Sequence, residues 1–166
     1  MHSYDRVTVP AHTAILVRDT VSPTELSALT SEALPNLREF LISTGANPGP
    51  ARAYILSEPA GTFEVGVGFV VDDADLPLVE PFAGDTGDDR VELVHFAQTL
   101  ALTHRHTGPR TELSRVWSEF AAEAAAASEP VGTGSFEEFV TELGPAGTGV
   151  SGDTAVTDLY LHLRTE

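Results

Sequence analysis

A ten-residue pattern occurs twice in this chain, and this repeat constrains the fold more than any other feature. Residues 24–33 read TELSALTSEA and residues 111–120 read TELSRVWSEF, so six of the ten positions are identical. Chance similarity between two Ala-rich helices is one explanation. The other is that one structural unit has been used twice along the chain.

The segments that precede the two repeats are also alike. Both are rich in β-branched or apolar residues and end in turn residues, a pattern that predicts strands. When 10–23 is aligned with 96–109, four identities appear, and one inserted residue then brings the two TELS segments into register. The identical pairs are Ala11 with Ala97, Thr13 with Thr99, Leu16 with Leu102, and Pro23 with Pro109.

Helix-start signals follow each predicted strand. Ser22 is a suitable N-cap, Pro23 suits the first helical position, and Glu25 completes a capping box. Gly108-Pro109 is expected to play the same part for the second helix, and Pro35 is expected to kink or divide the first. Apolar residues then recur at helical spacing. They are Leu26, Leu29, Ala33, Leu37, Phe40 and Leu41 in the first repeat, and Leu113, Val116, Trp117, Phe120 and Ala124 in the second.

Two further strands are predicted after each helix, so that each half reads strand, helix, strand, strand. These strands are 51–57 and 63–71 in the first half, and 135–141 and 154–163 in the second. The pattern predicts an α+β fold in which tandem duplicated β-α-β-β modules form an antiparallel sheet with two main helices on one face. We expect a single domain over 1–166, divided into a module at about 5–72, an acidic connector at about 73–90 and a module at about 91–165.

The composition limits the functions that the chain can have. It carries a formal charge of −16, all nine of its cationic side chains are Arg, and it has no Cys. Disulfides, thiol chemistry and amine catalysis by Lys are therefore excluded, and nothing predicts nucleic-acid binding. The negative field attracts cationic small molecules at long range, or it only keeps the protein soluble. No apolar run approaches the length of a membrane span and no signal peptide is recognisable, so we expect a cytoplasmic protein.

Five segments, in this order and spacing, resemble a known family. They are VPAHTAILVR at 9–18, FEVGVGFVV at 63–71, HTGPRTEL at 106–113, FEEFVTEL at 136–143 and TDLYLHL at 157–163. The chain resembles the GyrI-like small-molecule-binding domain, which also serves as the effector-binding domain of AraC-type and MerR-type transcription activators and is built from two β-α-β-β modules. The resemblance implies a bacterial, stand-alone binding domain for drug-like compounds. The chain departs from the family pattern at three places. Family members usually have an aromatic residue where this chain has Arg110, and often have Pro where it has His162. They usually have an Asp-Pro pair where it has Glu142-Leu143.

The resemblance implies a carboxylate-plus-aromatic pocket. Glu137 matches the family's pocket carboxylate and Phe139 the aromatic residue beside it, and a two-residue interval puts both on one face of a strand. Such a pocket suits a planar cation, because each aromatic face adds about 0.5–2 kcal/mol of cation–π attraction. Burial disfavours the charged form of a carboxyl group, so that Glu137 could also act as an acid or base. Alternation within FEEF alone leaves open that Glu137 points to water.

Several other residues are candidates for the pocket wall. Trp117 is the only tryptophan, and it is either a core residue or the pocket aromatic that the resemblance implies at this place. Tyr54 and Tyr160 have the same two interpretations. Gly66 and Gly68 remove side chains from one face of their strand, where a ligand or the opposing module approaches closely. Glu64, on that face, is a second candidate carboxylate.

Metal and nucleophile chemistry have little support. His104 and His106 share a strand face and His95 lies nearby in sequence, but no convincing third ligand accompanies them. His106 falls at the His-x-Gly-Pro position of the resembling family, which favours a structural or pocket-edge role. There is no Gly-x-Ser-x-Gly motif, and we expect neither a metal nor a cofactor.

Three functions remain as hypotheses. The first is a binding module in which Glu137, Phe139, Trp117 and Tyr160 line a cleft that holds an apolar or cationic small molecule, with a regulator protein as a possible partner. The second, implied by stand-alone members of the resembling family, is a hydrolase of strained cyclopropane-containing genotoxic compounds, with Glu137 as acid or base and a Tyr hydroxyl assisting. The third is inhibition of DNA gyrase. No helix-turn-helix pattern is visible, so we do not expect the chain to bind DNA by itself.

Overall fold

Strands predominate in the computed structural model, which describes residues 4–57, 62–85, 89–109, 112–140 and 155–164. Within these ranges the strands are β1 (Asp5–Val9), β2 (His12–Val21), β3 (Ala51–Ser57), β4 (Phe63–Val71), β5 (Val91–Phe96), β6 (Thr99–Thr107), β7 (Val131–Phe139) and β8 (Val156–Leu163). The α-helices are α1 (Pro23–Thr44), α2 (Leu76–Val79) and α3 (Leu113–Ala126).

The described strands form one antiparallel sheet in the order β1-β6-β8-β7-β3-β4-β2-β5. One half of the sheet holds the strands of a β2-α1-β3-β4 module and the other those of a β6-α3-β7-β8 module, and the modules join where β3 pairs with β7. The predicted α+β fold with two like modules is confirmed. The helices of both modules lie on the same face of the sheet, as expected, and we call it the helix face.

Strands β1 and β5 are exchanged between the modules. β1 runs into β2 through two residues, yet it pairs with β6 of the other module. β5 runs into β6 in the same way, yet it pairs with β2. The sequence analysis did not identify either strand, since each needs a partner far away in the chain to form its hydrogen bonds.

The register of these strands corrects the alignment of the two halves. Val9 pairs with Thr99 and His12 pairs with Phe96. The TELS repeats are 87 residues apart (111 minus 24). A shift of 87 residues takes Val9 to Phe96 and His12 to Thr99. It therefore maps the Val9–Thr99 pair onto the His12–Phe96 pair. The predicted strand alignment, based on a shift of 86 (97 minus 11), is wrong by one residue. A slip of one residue would turn every side chain to the opposite face of the sheet.

The start of α1 follows the predicted signals. The backbone N–H of Ser22 donates to the Glu25 carboxylate at 2.9 Å, and this contact lowers the pKa of Glu25. The helix ends at Gly45, whose φ of 90° is left-handed and favours glycine. α1 continues through Pro35 as one helix, so the predicted division does not occur. α3 begins at Leu113 rather than at Pro109, and residues 110 and 111 lie outside the described ranges.

The helices cover the outer parts of the sheet. α1 packs on β4 and β2, and α3 packs on β6. Each helix buries a separate apolar cluster, one around Leu37, Leu41 and Phe69 and the other around Val116, Phe120 and Leu159. The central strands β3 and β7 therefore form the floor between the helices. In the part of the chain that the structure describes, no helix is both long and apolar enough to cross a membrane.

The sheet curls on its other face, which we call the open face. The rings of Tyr54 on β3 and Phe96 on β5 stack at 4.5 Å and 9°. Two strands separate β3 from β5, so a flat sheet would hold them about 14 Å apart. The contact shows that the outer strands bend over the centre of the sheet. A third apolar cluster, which includes Leu16 and Phe136, fills this side.

The remaining predicted boundaries differ in detail. The predicted connector holds α2 between two short 3₁₀ helices, Asp73–Asp75 and Glu80–Asp85. β7 starts at Val131, four residues earlier than predicted (135 minus 131). The predicted ends of the last two strands, at 141 and 154, lie outside the described residues, as do Glu142 and Leu143.

Candidate functional site

A buried carboxylate lies at the junction of the two modules, on the helix face. Glu137 is 7% exposed. The indole Nε1–H of Trp117 donates to its Oε1 at 2.6 Å, so α3 supplies the donor and β7 the acceptor. Hydrogen bonds to a charged carboxylate are stronger than those between neutral groups, and this one fixes the orientation of the indole. The alternative in which Glu137 points to water does not occur.

The register places Glu137 where it has no acidic counterpart. Glu137 pairs directly with Ala53 across the β3–β7 junction. The two positions are also equivalent in the modules. Val17 matches His104, and the pairings through Val67 on β4 and Leu159 on β8 carry this match to Ala53 and Glu137. One carboxylate and one methyl group therefore meet at the pseudo-symmetry axis. The duplicated fold holds a single charge at its centre instead of two repelling charges.

Aromatic side chains extend from this carboxylate along α3. The ring of Trp117 lies 5.9 Å from that of Phe120, and the imidazole of His104 lies 5.7 Å from the same ring. Phe120 is buried, whereas Trp117 is half-buried. Trp117 packs against the core cluster under α3, as the core interpretation predicts, and its indole also contacts the Glu137 carboxylate. Its role as a pocket aromatic stays a prediction.

Phe139 and His106 lie on the same face as Glu137 but in different surroundings. Phe139 is buried in the apolar cluster under α1. His106 lies near the start of α3, with its Nε2 3.4 Å from the carbonyl oxygen of Pro109 and 3.7 Å from the Glu112 carboxylate. The structure thus brings Glu137 and Trp117 together, with Phe139 two residues along β7 and His106 close to the end of β6.

The two candidate tyrosines lie on the open face, away from Glu137. The residue of β8 that pairs with Glu137 is Leu159, so the next residue, Tyr160, points to the other side. Its ring stacks on Phe136 at 4.3 Å. Burial raises the pKa of both Tyr54 and Tyr160. The predicted cleft that joins Tyr160 to Glu137 is therefore wrong, because side chains alternate between the faces of a strand.

Glu64 and Gly68 also lie on the open face. Glu64 forms an ion pair with Arg18, which binds Glu92 as well. A Cβ atom at Gly68 would overlap the carbonyl oxygen of Ile15 on the paired strand. The group that approaches this glycine is β2 of the same module, so Glu64 and Gly68 do not line the Glu137 site.

Sequence reasoning missed an ionic group on the open face. The Arg52 guanidinium lies 4.4 Å from the centre of the Phe136 ring and 2.9 Å from the Glu138 carboxylate. Arg105 binds both oxygens of Asp158, which pairs with Glu138 across β7 and β8. The alternation in FEEF was the available signal, since it turns Glu138 away from Glu137. The identity of its cationic partner required the register of β3 against β7.

The candidate metal ligands are dispersed. His104 contacts Phe120, while Nδ1 of His95 lies 2.5 Å from the hydroxyl of Thr13 on the neighbouring strand. Over the described ranges, no group of three or more His, Asp or Glu side chains is arranged to hold a metal ion.

Comparison with known proteins identifies the fold. No protein-family model and no curated protein matches the sequence. Solved structures do match, including the EcmrR C-terminal domain at a TM-score of 0.68 and 11% identity, with 98% of each chain covered. SAV2435 bound to tetraphenylphosphonium matches at a TM-score of 0.66 and 10% identity, covering 97% of this chain and 93% of that one.

A third match is a hydrolase from Listeria innocua, at a TM-score of 0.62 and 14% identity, covering 97% of this chain and 91% of that chain. At these identities the comparisons establish the fold alone, which this chain shares with the EcmrR C-terminal domain and with SAV2435. The resemblance predicted from the sequence is confirmed at that level.

Proposed function

We propose that the chain binds an apolar organic cation, with Glu137 as the counter-charge and Trp117 as the aromatic wall. The observation that carries the proposal is the buried carboxylate beneath an indole at the module junction. An acid in such surroundings attracts a cation strongly, because little water screens it. The match to SAV2435, which was solved with the cation tetraphenylphosphonium, supports the same ligand class.

Trp117 has to move for a guest to reach the carboxylate. Glu137 is only 7% exposed, and the half-buried indole is bonded to it. A cation that replaces the indole N–H as the partner of Glu137 would release the ring to lie against the guest. The ring then contributes cation–π attraction of about 0.5–2 kcal/mol. Opening the site costs one charge-assisted hydrogen bond, which lowers the net affinity.

The sole tryptophan of the chain provides the test. We expect tetraphenylphosphonium to change the fluorescence of Trp117 in a saturable way. Glu137→Gln keeps an oxygen that accepts from the indole but removes the charge, so the affinity should fall about ten- to a hundred-fold, or about 1.4–2.8 kcal/mol.

Glu92→Gln is the matched control. It removes the same charge from an open-face carboxylate that is bound to Arg18, so affinity should stay within about twofold of the wild type. Equal affinity of Glu137→Gln and the wild-type protein would exclude Glu137 as the counter-charge.

Hydrolysis is the second candidate function, favoured by the match to the Listeria innocua hydrolase. Glu137 would take a proton from water while the water oxygen forms a bond to a carbon of the strained, electrophilic ring. A ring C–C bond would break, and its electron pair would take up the proton from Glu137. Both candidate tyrosines lie on the open face and Tyr4 binds Glu129, so a tyrosine hydroxyl does not assist. Incubation with a cyclopropane-containing electrophile separates the two functions, since a binding protein leaves the compound unchanged over many equivalents. The gyrase hypothesis remains a prediction.

A further inference from the structure

A cavity lies on the open face, where the β1–β2 and β5–β6 connections meet. Its volume is 210 Å³ and its lining includes Val9, His12, Tyr54, Phe96, Ala97 and Thr99. These residues belong to β1, β2, β3, β5 and β6, and Ala97 lies in the β5–β6 connection. Glu137 lies on the opposite face of the sheet, so the cavity is separate from the site proposed above.

Divergence of the two halves accounts for this cavity. The shift of 87 residues that relates the halves takes Val9 to Phe96 and exchanges His12 with Thr99. One side of the cavity therefore carries a phenyl ring and an imidazole, and the other carries an isopropyl group and a hydroxyethyl group. The cavity of 210 Å³ has room for one aromatic ring, since an apolar cavity of about 150 Å³ holds benzene.

The larger side forms a flat aromatic wall. The ring of Phe96 lies 5.1 Å and 20° from that of His12 and 4.5 Å and 9° from that of Tyr54, and the His12 and Tyr54 rings lie 6.1 Å from each other. Nearly parallel rings of this kind present faces and edges against which a further ring can pack. His162 completes the lining from β8.

The polar groups beside the cavity are already paired. The Nδ1–H of His12 donates to the carbonyl oxygen of Pro10 at 2.8 Å, so its Nε2 accepts from the Tyr54 hydroxyl at 2.9 Å. Burial lowers the pKa of His12, which keeps the ring neutral. Arg52 contacts both His12 and Tyr54, while Glu138 balances its charge. The Arg52–Glu138 ion pair carries no net charge, so it favours neither a cation nor an anion in the cavity.

From the size, the aromatic wall and the charge balance, we infer that this cavity binds a small, neutral, single-ring aromatic compound. This cavity would prefer a neutral ligand, whereas the Glu137 site is proposed to bind a cation. The two faces of the sheet would thus select ligands of different classes in one chain.

Phenol is the probe, with benzylammonium as its cationic counterpart of similar size. In amide NMR titrations of the full chain, phenol should cause saturable shifts where the β1–β2 and β5–β6 connections meet. Benzylammonium should bind there at least about tenfold more weakly. Val9→Phe restores the residue of the other half and fills the cavity, so it should abolish the phenol shifts.

Ala97→Leu fills the same cavity from the β5–β6 connection and provides an independent test if Val9→Phe is poorly folded. Trp117→Phe, on the helix face, should leave phenol binding unchanged. Tetraphenylphosphonium binding should in turn survive Val9→Phe. The inference is wrong if the wild-type protein shows no saturable phenol shifts. It is also wrong if both filled variants bind phenol as well as the wild type does. Neither outcome depends on whether the Glu137 site binds cations.

Discussion

Single residues account for the asymmetry of this duplicated fold. The modules are alike in backbone, yet Ala53 in one is Glu137 in the other, and these two side chains meet at the junction. A second carboxylate in place of Ala53 would repel the first, whereas two alanines would leave no charge for a cation. The site thus depends on one position at which the halves differ. Sequence reasoning identified Glu137 only through family resemblance, since alternation alone did not indicate which face was covered.

The glycines of β4 permit a prediction at this scale. A Cβ atom at Gly68 would overlap the backbone oxygen of Ile15, whereas at Gly66 it would lie 2.7 Å from Cδ1 of Leu16, the end of a side chain that can rotate. Gly68→Ala should therefore lower the free energy of unfolding by about 1–3 kcal/mol. Gly66→Ala is the control, with a smaller loss. Chemical denaturation measures both, and an equal or larger loss for Gly66→Ala would contradict this account.

At the scale of elements, pairing partners distinguish the strands that were predicted from those that were missed. β2, β3, β4, β6, β7 and β8 were recognised from the residue pattern within their own segments. β1 and β5 are short, and each is paired with a strand of the other module. Their pairing brings together residues about a module apart, such as Val9 and Thr99. No pattern within β1 or β5 indicates which module the strand will pair with. Each of the two strands forms the outer edge of a four-stranded half of the sheet.

Because β1 pairs with the second module, deleting it should destabilise that module rather than its own. β1 pairs with β6, and Tyr4, just before it, binds Glu129 after α3 and packs on Phe120. A variant that lacks residues 1–9 should therefore lose amide protection in β6 and α3 of the second module. Hydrogen exchange measures this loss. Loss confined to β2, the strand next to β1 in sequence, would contradict the exchanged pairing.

At the scale of the whole molecule, charge and site act together. The formal charge of −16 surrounds the site proposed above, in which Glu137 would be the counter-charge of a bound cation. Long-range attraction raises the association rate of a cation and is screened by salt, whereas contacts within the site govern dissociation. The sequence alone left open whether the acidity has this role or only keeps the chain soluble.

Stopped-flow fluorescence of Trp117 decides between these alternatives. Raising the salt from roughly 0.02 M to 0.5 M should slow tetraphenylphosphonium association several-fold and change its dissociation little. Triphenylphosphine oxide, a neutral comparator, should show no such dependence. If the association of the cation is independent of salt, the acidic surface has no steering role.

The sequence by itself determined the order of the modules, the class of each main element and the start of α1. These follow from local properties, namely periodicity, capping residues and the repeated TELS pattern. Only the tertiary structure decided which module receives β1 and β5, which face each candidate side chain occupies, and that a cavity remains where Val9 opposes Phe96. Each of these depends on the register between strands that are distant in sequence. A shift of one residue in that register turns every side chain to the opposite face of the sheet, and no interaction within a strand fixes the register.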